Sequence, residues 1–228
     1  TNTEGTYNVL EVGRKLGLER IIVTSTSEIY GTAQYVPIDE KHPYNPQSPY
    51  AASKAAADHL ALSYYRSFGT PVTIIRPFNT YGPRQSARAI IPTIVTQVLS
   101  GKTQIKLGNL APTRDLNYVK DTTNGFITVG LHEKTIGDVY NIGSGREISI
   151  GDLAQKIVDL IGKSVEIVQD EQRIRPQKSE VERLLCNADK ASKLTGWEPK
   201  YTLDEGLKET IEWIKDNMGY YKPDIYNV

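Results

Sequence analysis

Cysteine, histidine and long apolar runs are scarce in this sequence, and each scarcity excludes a class of protein. Cys186 is the single cysteine, so no disulfide can form within the chain, which fits a reducing compartment such as the cytoplasm. The three histidines, His42, His59 and His132, lack the spacing of metal ligands, and we expect no metal site. Because no run of about 18 apolar residues and no charged-then-apolar leader occurs, we expect neither a membrane span nor an export signal.

The sequence also has no excess of charge of either sign. Lys and Arg together number 27, and so do Asp and Glu. Nucleic acids and anionic membranes normally bind proteins that carry a basic excess, so we expect neither as a partner. The length of 228 residues is enough for one large domain or two small ones with a buried core.

Residues 1–80 alternate between patterns typical of helices and of buried strands. A helical pattern at 3–16 precedes an apolar strand at 20–24, and a helix at 51–68, begun by Ser48 and Pro49, precedes a strand at 72–76. This order predicts a doubly wound α/β sheet. The rest of the chain is mixed: helical patterns cover 90–99, 121–131, 150–161 and a segment after Thr202, and strand patterns cover 104–107, 138–142 and 165–168.

Tyr50 and Lys54 are the most informative pair of polar side chains. Four residues apart on a predicted helix, they share a face, so the ammonium can approach the phenol and stabilise its ionised form. A tyrosine that exchanges its proton is suited to hydride chemistry on an alcohol. The alternative is an ordinary helix surface, because a chain with 14 tyrosines contains such a pair about once by chance.

A turn rich in Ser and Thr at residues 24–31 directly follows the first predicted strand. In open α/β sheets the carboxyl ends of the strands form the edge where ligands bind. Hydroxyl groups there can hydrogen-bond a substrate oxygen, and Glu28 is a candidate base. The alternative is a solvated turn with an exposed glutamate.

Six ordered motifs extend over nearly the whole chain: STSEIYG at 25–31, SPYAASK at 48–54, RPFNTYGP at 76–83, RDLNYVKD at 114–121, YNIG at 140–143 and GWEP at 196–199. In this order they resemble the extended short-chain dehydrogenase/reductase family of nucleotide-sugar epimerases and dehydratases. The resemblance implies a partial Rossmann-like doubly wound parallel sheet with a smaller α/β C-terminal substrate domain. It assigns residues 1–81 and 121–144 to the NAD-binding domain, and 82–120 and 145–228 to the nucleotide-sugar-binding domain.

The resemblance also implies roles for individual residues. Thr26, Tyr50 and Lys54 match the family's catalytic triad, and Ser27 and Glu28 complete the catalytic set. Ser25, Tyr50, Lys54 and Pro77 would contact the cofactor, which is NAD with NADP as the alternative. Asn79, Arg114 and Arg175 would contact the nucleotide diphosphate of the substrate, and Arg88 would also bind the substrate. For the arginines a guanidinium fork suits phosphate oxygens. For each arginine the alternative is a surface ion pair.

The identity of residue 28 favours a subclass. Once C4 of the sugar is a ketone, its C5 proton is acidic, and 4,6-dehydratases place a carboxylate at the position of Glu28 to remove it. Thr-Ser-Glu resembles the GDP-mannose 4,6-dehydratases, whereas dTDP-glucose enzymes carry Asp-Glu after the threonine, so Glu28 would also have to protonate the departing C6 hydroxyl. The alternatives are a 4-epimerase, a UDP-glucuronate decarboxylase, which also carries Thr-Ser-Glu, and a non-catalytic binding or scaffold relative.

The glycine-rich turn with which members of this family bind the cofactor pyrophosphate does not occur in the sequence. Gly13 and Gly17 are too far apart, and Gly143 and Gly145 have no third partner. By the resemblance, we expect about a hundred further residues before Thr1 in a complete enzyme, and no turnover by the 228-residue chain alone. For the full-length protein the resemblance implies a homodimer, because the first helix and the helix at 51–68 pack between subunits in many members.

Overall fold

The computed structural model describes residues 1–174 and 176–221. The α-helices are α1 (Asn2–Leu16), α2 (Pro49–Phe68), α3 (Ile90–Leu99), α4 (Val119–Leu131), α5 (Ile150–Ile161), α6 (Asp189–Thr195) and α7 (Leu203–Asp216). The strands are β1 (Ile21–Thr24), β2 (Val72–Pro77), β3 (Asn79–Tyr81), β4 (Gln104–Leu107), β5 (Thr113–Tyr118), β6 (Val139–Ile142), β7 (Glu147–Ser149) and β8 (Glu166–Gln169). Short 3-10 helices cover Ser27–Tyr30, Glu133–Thr135, Glu171–Arg173, Gln177–Ser179 and Met218–Tyr220.

A parallel three-stranded sheet in the order β1-β2-β6 is the centre of the first region. Leu10 of α1 and Ala61 of α2 pack on one face against Ile74 of β2. Val129 of α4 and Ala191 of α6 belong to the apolar cluster on the other face. Helices on both faces of a parallel sheet confirm the predicted α/β fold class.

Strand β1 differs in one respect from the expected buried strand. Ile21 and Val23 are buried, but Ile22 is 38% exposed and Thr24 is also exposed. Within the described residues β1 pairs with β2 alone, so it is an edge strand of this sheet. Helix α1 also exposes apolar side chains, among them Val9 and Leu16.

The second region combines two small sheets with three helices. Strand β5 pairs in parallel with β3 and antiparallel with β7, and β4 pairs in parallel with β8. Helices α3, α5 and α7 pack together and form an apolar core with Ile94, Ile105, Leu153 and Leu207. The chain passes between the two regions several times: β3 begins two residues after β2 ends, β6 returns to the first sheet after β5 and α4, and β7 again belongs to the second region.

Asp115, the first acidic residue of the RDLNYVKD motif, has a structural role. Its carboxylate is fully buried and accepts hydrogen bonds from the amide and hydroxyl of Ser144 (2.8 and 2.7 Å). It also accepts from the amides of Gly145 (2.9 Å) and Cys186 (3.0 Å). Burial raises the pKa of the Cys186 thiol well above its ordinary value, so this free cysteine is an unreactive core residue.

Asp121 connects the end of the same motif to GWEP. Its two carboxylate oxygens accept hydrogen bonds from the amides of Lys200 (3.0 Å) and Tyr201 (2.9 Å), and its carbonyl accepts from Trp197 Nε1 (3.2 Å). These contacts attach the segment before α7 to the first turn of α4. Throughout the described residues, 1–174 and 176–221, the helices are too short or too polar to span a bilayer.

Candidate active site

The turn after β1 is shaped by two local features. Thr26 has an extended backbone, and its Oγ1 accepts a hydrogen bond from the N–H of Glu28 (3.2 Å), which begins the 3-10 helix Ser27–Tyr30. Gly31 ends this helix at φ +62°, where a Cβ atom would collide with the carbonyl oxygen of Asn45. The turn therefore holds Thr26 and Glu28 at the carboxyl end of β1, the edge at which ligands bind.

The predicted residues of this turn differ in their access to solvent. Ser25, Thr26 and Ser27 are buried, whereas Glu28 is half-buried and lines a large cleft. A general base must reach the proton that it removes, so Glu28 is the member of this set that is open to a substrate. Ser27 is 1% exposed and is not among the residues that line the cleft.

Helix α2 presents Tyr50 and Lys54 on successive turns. The helix begins where the Ser48 hydroxyl accepts a hydrogen bond from the Ala51 amide (3.1 Å), as expected from the sequence. Tyr50, in the first turn, is 50% exposed. Lys54 Nζ donates a hydrogen bond to the carbonyl oxygen of Thr24 (2.9 Å). This bond joins α2 to the last residue of β1, two residues before Thr26.

These residues fit the nicotinamide-ribose part of a dinucleotide cofactor. An ammonium has three donors, so the bond to Thr24 leaves two of Lys54's donors for ribose hydroxyls. The exposed Tyr50 phenol lies on the same helix, and Pro77 ends the neighbouring strand β2 at the same edge of the sheet. No group of three His, Cys, Asp or Glu side chains in the described part of the chain could hold a metal ion.

The predicted substrate-binding residues meet in one cleft of about 370 Å³. Asn79, Arg88 and Arg114, which come from three separate segments, line it together with Glu28. Arg88 is exposed. Arg175, the fourth residue predicted to bind the substrate, lies outside the described residues. Residues that the motifs predicted separately therefore surround a single space.

Arg114 is held at the wall of this cleft by an ion pair. Its Nη2 donates to Glu180 Oε1 (3.2 Å), and its Nη1 donates to the carbonyl oxygen of Thr113 (2.9 Å). The Arg114 and Glu180 side chains are only 11% and 14% exposed. The ion pair and the ligand role are therefore compatible, because Glu180 orients the guanidinium and lines the same cleft.

Two buried amide oxygens in the cleft indicate that it accommodates a polar ligand. Asn79 Oδ1 and Gln85 Oε1 are buried and have no hydrogen-bond partner within the described residues. Buried polar atoms are nearly always paired, with protein, water or ligand, and the oxygen and nitrogen of an amide can exchange places. Gln85 Nε2 donates to the Thr80 carbonyl oxygen (3.0 Å), so its Oε1 is suited to a sugar hydroxyl, whereas the Asn79 amide can turn either atom toward a phosphate or sugar group.

The sequence did not identify all polar residues of the cleft: Gln85, Lys106, Asn109 and Arg173 also line it. One sequence signal for these residues is Gly108, in the stretch Leu107–Gly108–Asn109. The structure shows why a glycine is needed there: a Cβ would collide with the carbonyl oxygen of Arg173. With Arg88, Lys106, Arg114 and Arg173 against Glu28 and Glu180, cations outnumber carboxylates around the cleft. This balance favours an anionic ligand.

The chain is similar to proteins of known family. A family model described as GDP-mannose 4,6 dehydratase matches residues 1–210. A dTDP-glucose 4,6-dehydratase from Streptomyces antibioticus is 33% identical over 223 residues, which are 98% of this chain and 65% of that protein.

Two solved structures share its fold. The crystal structure of dTDP-glucose 4,6-dehydratase from Bacillus anthracis in complex with NAD has a TM-score of 0.87 and 36% identity, covering 98% of this chain and 70% of that one. UDP-glucuronic acid 4-epimerase from Bacillus cereus, in complex with UDP-glucuronic acid and NAD, has a TM-score of 0.88 and 29% identity, covering 95% and 68%. The chain thus spans 65% to 70% of the length of these three proteins.

Proposed function

This chain belongs to the family described as GDP-mannose 4,6 dehydratase, among the extended short-chain dehydrogenases, and on that premise we propose that it forms the catalytic and substrate-binding part of an NAD-dependent nucleotide-sugar 4,6-dehydratase. One observation carries the proposal: Glu28, the only acidic residue in the turn after β1, lines the same cleft as Arg88 and Arg114. A carboxylate for the sugar and cations for a diphosphate are what this reaction requires.

The cleft residues would hold the substrate. The Arg114 guanidinium and the exposed Arg88 would bind the diphosphate, and the unpaired Asn79 amide would add a hydrogen bond. Glu180 keeps Arg114 oriented before the substrate arrives, which reduces the entropy lost on binding. The nucleotide sugar would thereby present its hexose toward Glu28.

The residues of α2 and the turn would carry out the proton transfers at C4. NAD, when bound, supplies the hydride acceptor and donor for the sugar. Tyr50 would take the C4 hydroxyl proton, Thr26 would hydrogen-bond the reacting oxygen, and Lys54 would hold the cofactor ribose. The ammonium of Lys54, one turn further along α2, would also favour negative charge that develops on the Tyr50 oxygen during proton transfer.

Glu28 would carry out the elimination. After C4 is oxidised to a ketone, the Glu28 carboxylate accepts the C5 proton, the C5–H electron pair forms the C5=C6 double bond, and the C6 hydroxyl departs. The proton on Glu28 completes the water that leaves. C5 would then take up a proton from solvent as the hydride that NAD supplies is added at C6, so that the net change is the loss of one water. This role needs a half-buried, substrate-accessible carboxylate, which is the environment of Glu28.

A 4-epimerase is the second candidate, supported by the likeness to UDP-glucuronic acid 4-epimerase of Bacillus cereus. An epimerase returns the hydride to C4 and eliminates no water. The two reactions therefore differ in the mass of the product.

The proposal is tested by incubating the protein, purified as the cell makes it, with NAD and each of GDP-mannose, dTDP-glucose, UDP-N-acetylglucosamine and GDP-N-acetylglucosamine. Mass spectrometry should show the loss of one water from one of these substrates. A product of unchanged mass with an inverted C4 would establish the epimerase instead. No product from any nucleotide sugar would refute both.

Three further features belong to this proposal. The cofactor is NAD, with NADP as the alternative, and the domain division is 1–81 with 121–144 against 82–120 with 145–228. The protein is cytoplasmic. It is a homodimer whose interface includes α1 and α2, because the corresponding helices pack between subunits in many family members. Light scattering on the purified protein tests the dimer, since a monomer at micromolar concentration would contradict it.

A further inference from the structure

A buried guanidinium connects the elements that carry the candidate catalytic residues. Arg76, the second-to-last residue of β2, is 1% exposed. Its Nε donates to Asp58 Oδ2 (2.9 Å), and Asp58, on α2, is fully buried. Asp58 lies one helical turn after Lys54, whose own hydrogen bond reaches the end of β1. Helix α2 is thus fixed to the first sheet at two successive turns.

The same guanidinium reaches the turn that carries Thr26 and Glu28. Its Nη1 donates to the Tyr30 hydroxyl (2.7 Å), which in turn donates to Asn141 Oδ1 in β6 (2.8 Å). Tyr30 is the last residue of the 3-10 helix that begins directly after Thr26. The chain of hydrogen bonds therefore runs from α2, through β2 and the turn, to β6.

A second tyrosine, Tyr44, also binds the guanidinium, but its segment carries no predicted catalytic residue. Nη2 of Arg76 donates to the hydroxyl of Tyr44, and the guanidinium carbon lies 4.9 Å from the centre of the Tyr44 ring and 5.2 Å from that of Tyr30. Tyr44 belongs to the loop between the turn and α2, which carries none of the predicted catalytic residues. The two tyrosines therefore differ chiefly in the element that each one attaches to Arg76.

We propose that Arg76 is a positioning residue that sets the place of Tyr50 and Lys54 relative to Glu28. The proposal rests on the dehydratase function proposed above. A planar guanidinium with donors in fixed directions can hold α2 and the turn at one separation, which a flexible ammonium or an apolar side chain cannot.

Stability alone does not account for this arrangement. Removing two charges from water costs free energy that their attraction largely repays, so apolar residues of similar volume usually stabilise a core equally well. What an apolar pair lacks is directed bonding to Asp58 and Tyr30 at the same time. Catalysis is sensitive to such geometry, because a displacement of about 1 Å can lower the rate about 100-fold.

The matched variants are Tyr30→Phe and Tyr44→Phe. Each keeps its ring and loses one hydrogen bond to Arg76. Tyr30→Phe also loses the bond to Asn141 and alone removes a bond to the turn that carries Thr26 and Glu28, so the Asp58→Leu/Arg76→Met variant below, which keeps the Tyr30–Asn141 bond, separates the two contributions. We expect Tyr30→Phe to lower kcat about 10- to 100-fold with KM for the nucleotide sugar unchanged, and Tyr44→Phe to leave both constants near wild type. Equal effects of the two variants, or a wild-type kcat for Tyr30→Phe, would overturn the proposal.

Hydrogen exchange gives a readout that does not depend on activity. In Tyr30→Phe the amides of residues 26–30 should exchange faster than in wild type, while the amides of residues 60–68 in α2 remain protected. In Tyr44→Phe residues 26–30 should exchange as in wild type. If the wild-type protein acts on no nucleotide sugar, the proposed dehydratase function is wrong. The exchange pattern still decides whether Arg76 positions the turn.

A double variant covers the case in which Tyr30→Phe does not fold. Asp58→Leu with Arg76→Met replaces the ion pair by apolar side chains and should keep the fold by circular dichroism. We expect it to lose kcat about 10- to 100-fold all the same. A folded double variant with wild-type kcat would overturn the positioning role.

Discussion

Lys54 donates a hydrogen bond of 2.9 Å to the carbonyl oxygen of Thr24, so its ammonium is held at the last residue of β1. This contact joins the helix that carries Tyr50 to the turn that carries Thr26. A lysine placed in this way has a fixed position but retains two donors for a ligand. The consequences of this geometry can be tested directly.

Lys54→Met should abolish most of the turnover. The variant keeps the length of the side chain and removes the charge that is proposed to support proton transfer by Tyr50, so kcat should fall about 10²- to 10⁴-fold. Steady-state kinetics measure this loss, and circular dichroism should show an unchanged fold. Lys41→Met, at an exposed position, is the control and should keep wild-type turnover. A Lys54→Met enzyme as active as this control would exclude the role given to Lys54.

Glu28→Gln should separate oxidation from elimination. The amide cannot accept the C5 proton, whereas Tyr50 and Lys54 are unchanged, so hydride transfer from C4 should remain measurable as reduced cofactor absorbance. The dehydrated nucleotide sugar, lighter than the substrate by one water, should be absent from the mass spectrum. Glu182→Gln, in an exposed acidic residue, should eliminate water like the wild type. Undiminished elimination by Glu28→Gln would assign the base to another group.

Arg114→Lys should weaken binding of the diphosphate. Lysine retains the charge but loses the planar fork that pairs with Glu180 and would bind phosphate oxygens, so affinity should fall about 10- to 100-fold, as for the loss of a charge-assisted hydrogen bond. Titration calorimetry with GDP, UDP and dTDP measures the change. The matched control is Arg66→Lys, on the exposed side of α2. Equal affinities of the two variants would place the diphosphate elsewhere.

The first sheet could be predicted because its signals are local. Ser48 and Pro49 begin α2 where the sequence indicates, and Gly17 and Gly69 end α1 and α2 in the left-handed conformation. The strand predicted at 72–76 contains Val72, Ile74 and Ile75 and differs from β2 by one residue. Caps and apolar runs act within a few residues, so a single sequence contains them.

Strand β5 was not predicted, because its polar residues have distant partners. Asp115 and Asn117 are fully buried, which breaks the apolar alternation by which strands are detected. The partners of Asp115 follow it by 29 to 71 residues. Similarly, Arg173 reaches the cleft because β4 pairs with β8, a contact that no local pattern indicates. The motifs predicted the residues that meet in the cleft, whereas these supporting contacts required the tertiary structure.

The Glu147–Arg183 ion pair should make the free energy of unfolding depend on pH in the acidic range. It accepts hydrogen bonds from Arg183 Nε (2.9 Å) and the Thr113 hydroxyl (2.7 Å), and the bond from Arg183 lowers its pKa below the ordinary value. A lowered folded-state pKa means that the pair stabilises the fold above the unfolded-state pKa of about 4.3, and that this contribution is lost as the pH falls through the folded-state value. Because Arg183 is 47% exposed, the effect should be below about 1 kcal/mol.

Glu147→Gln isolates this contribution. Urea unfolding should show the variant to be less stable than wild type at about pH 7, and the difference should shrink as the pH falls through the folded-state pKa of Glu147, because a protonated glutamic acid is uncharged like glutamine. Glu212→Gln, at an exposed position of α7, should show no such convergence. A stability difference that is constant over this range would mean that the ion pair does not contribute.

Gly206 and Gly5 provide a pair of helical glycines with opposite expected outcomes. A Cβ at Gly206 in α7 would collide with the Tyr81 hydroxyl and lie 2.8 Å from the Tyr118 ring, and Tyr81 is held by its hydrogen bond to the Leu203 carbonyl (3.2 Å). Overpacking of this kind costs about 1–3 kcal/mol, which exceeds the gain of up to about 1 kcal/mol in helix propensity. Gly206→Ala should therefore lower the free energy of unfolding.

Gly5→Ala is the matched control, because nothing lies within 4 Å of a Cβ at that position in α1. It receives the gain in helix propensity without the collision, so it should raise the free energy of unfolding by up to about 1 kcal/mol. Urea denaturation of both variants measures the two effects under the same conditions. A Gly206→Ala variant as stable as Gly5→Ala would show that α7 can move away from β3 and β5 at little cost, and that the close approach of this helix to Tyr81 and Tyr118 does not fix its position.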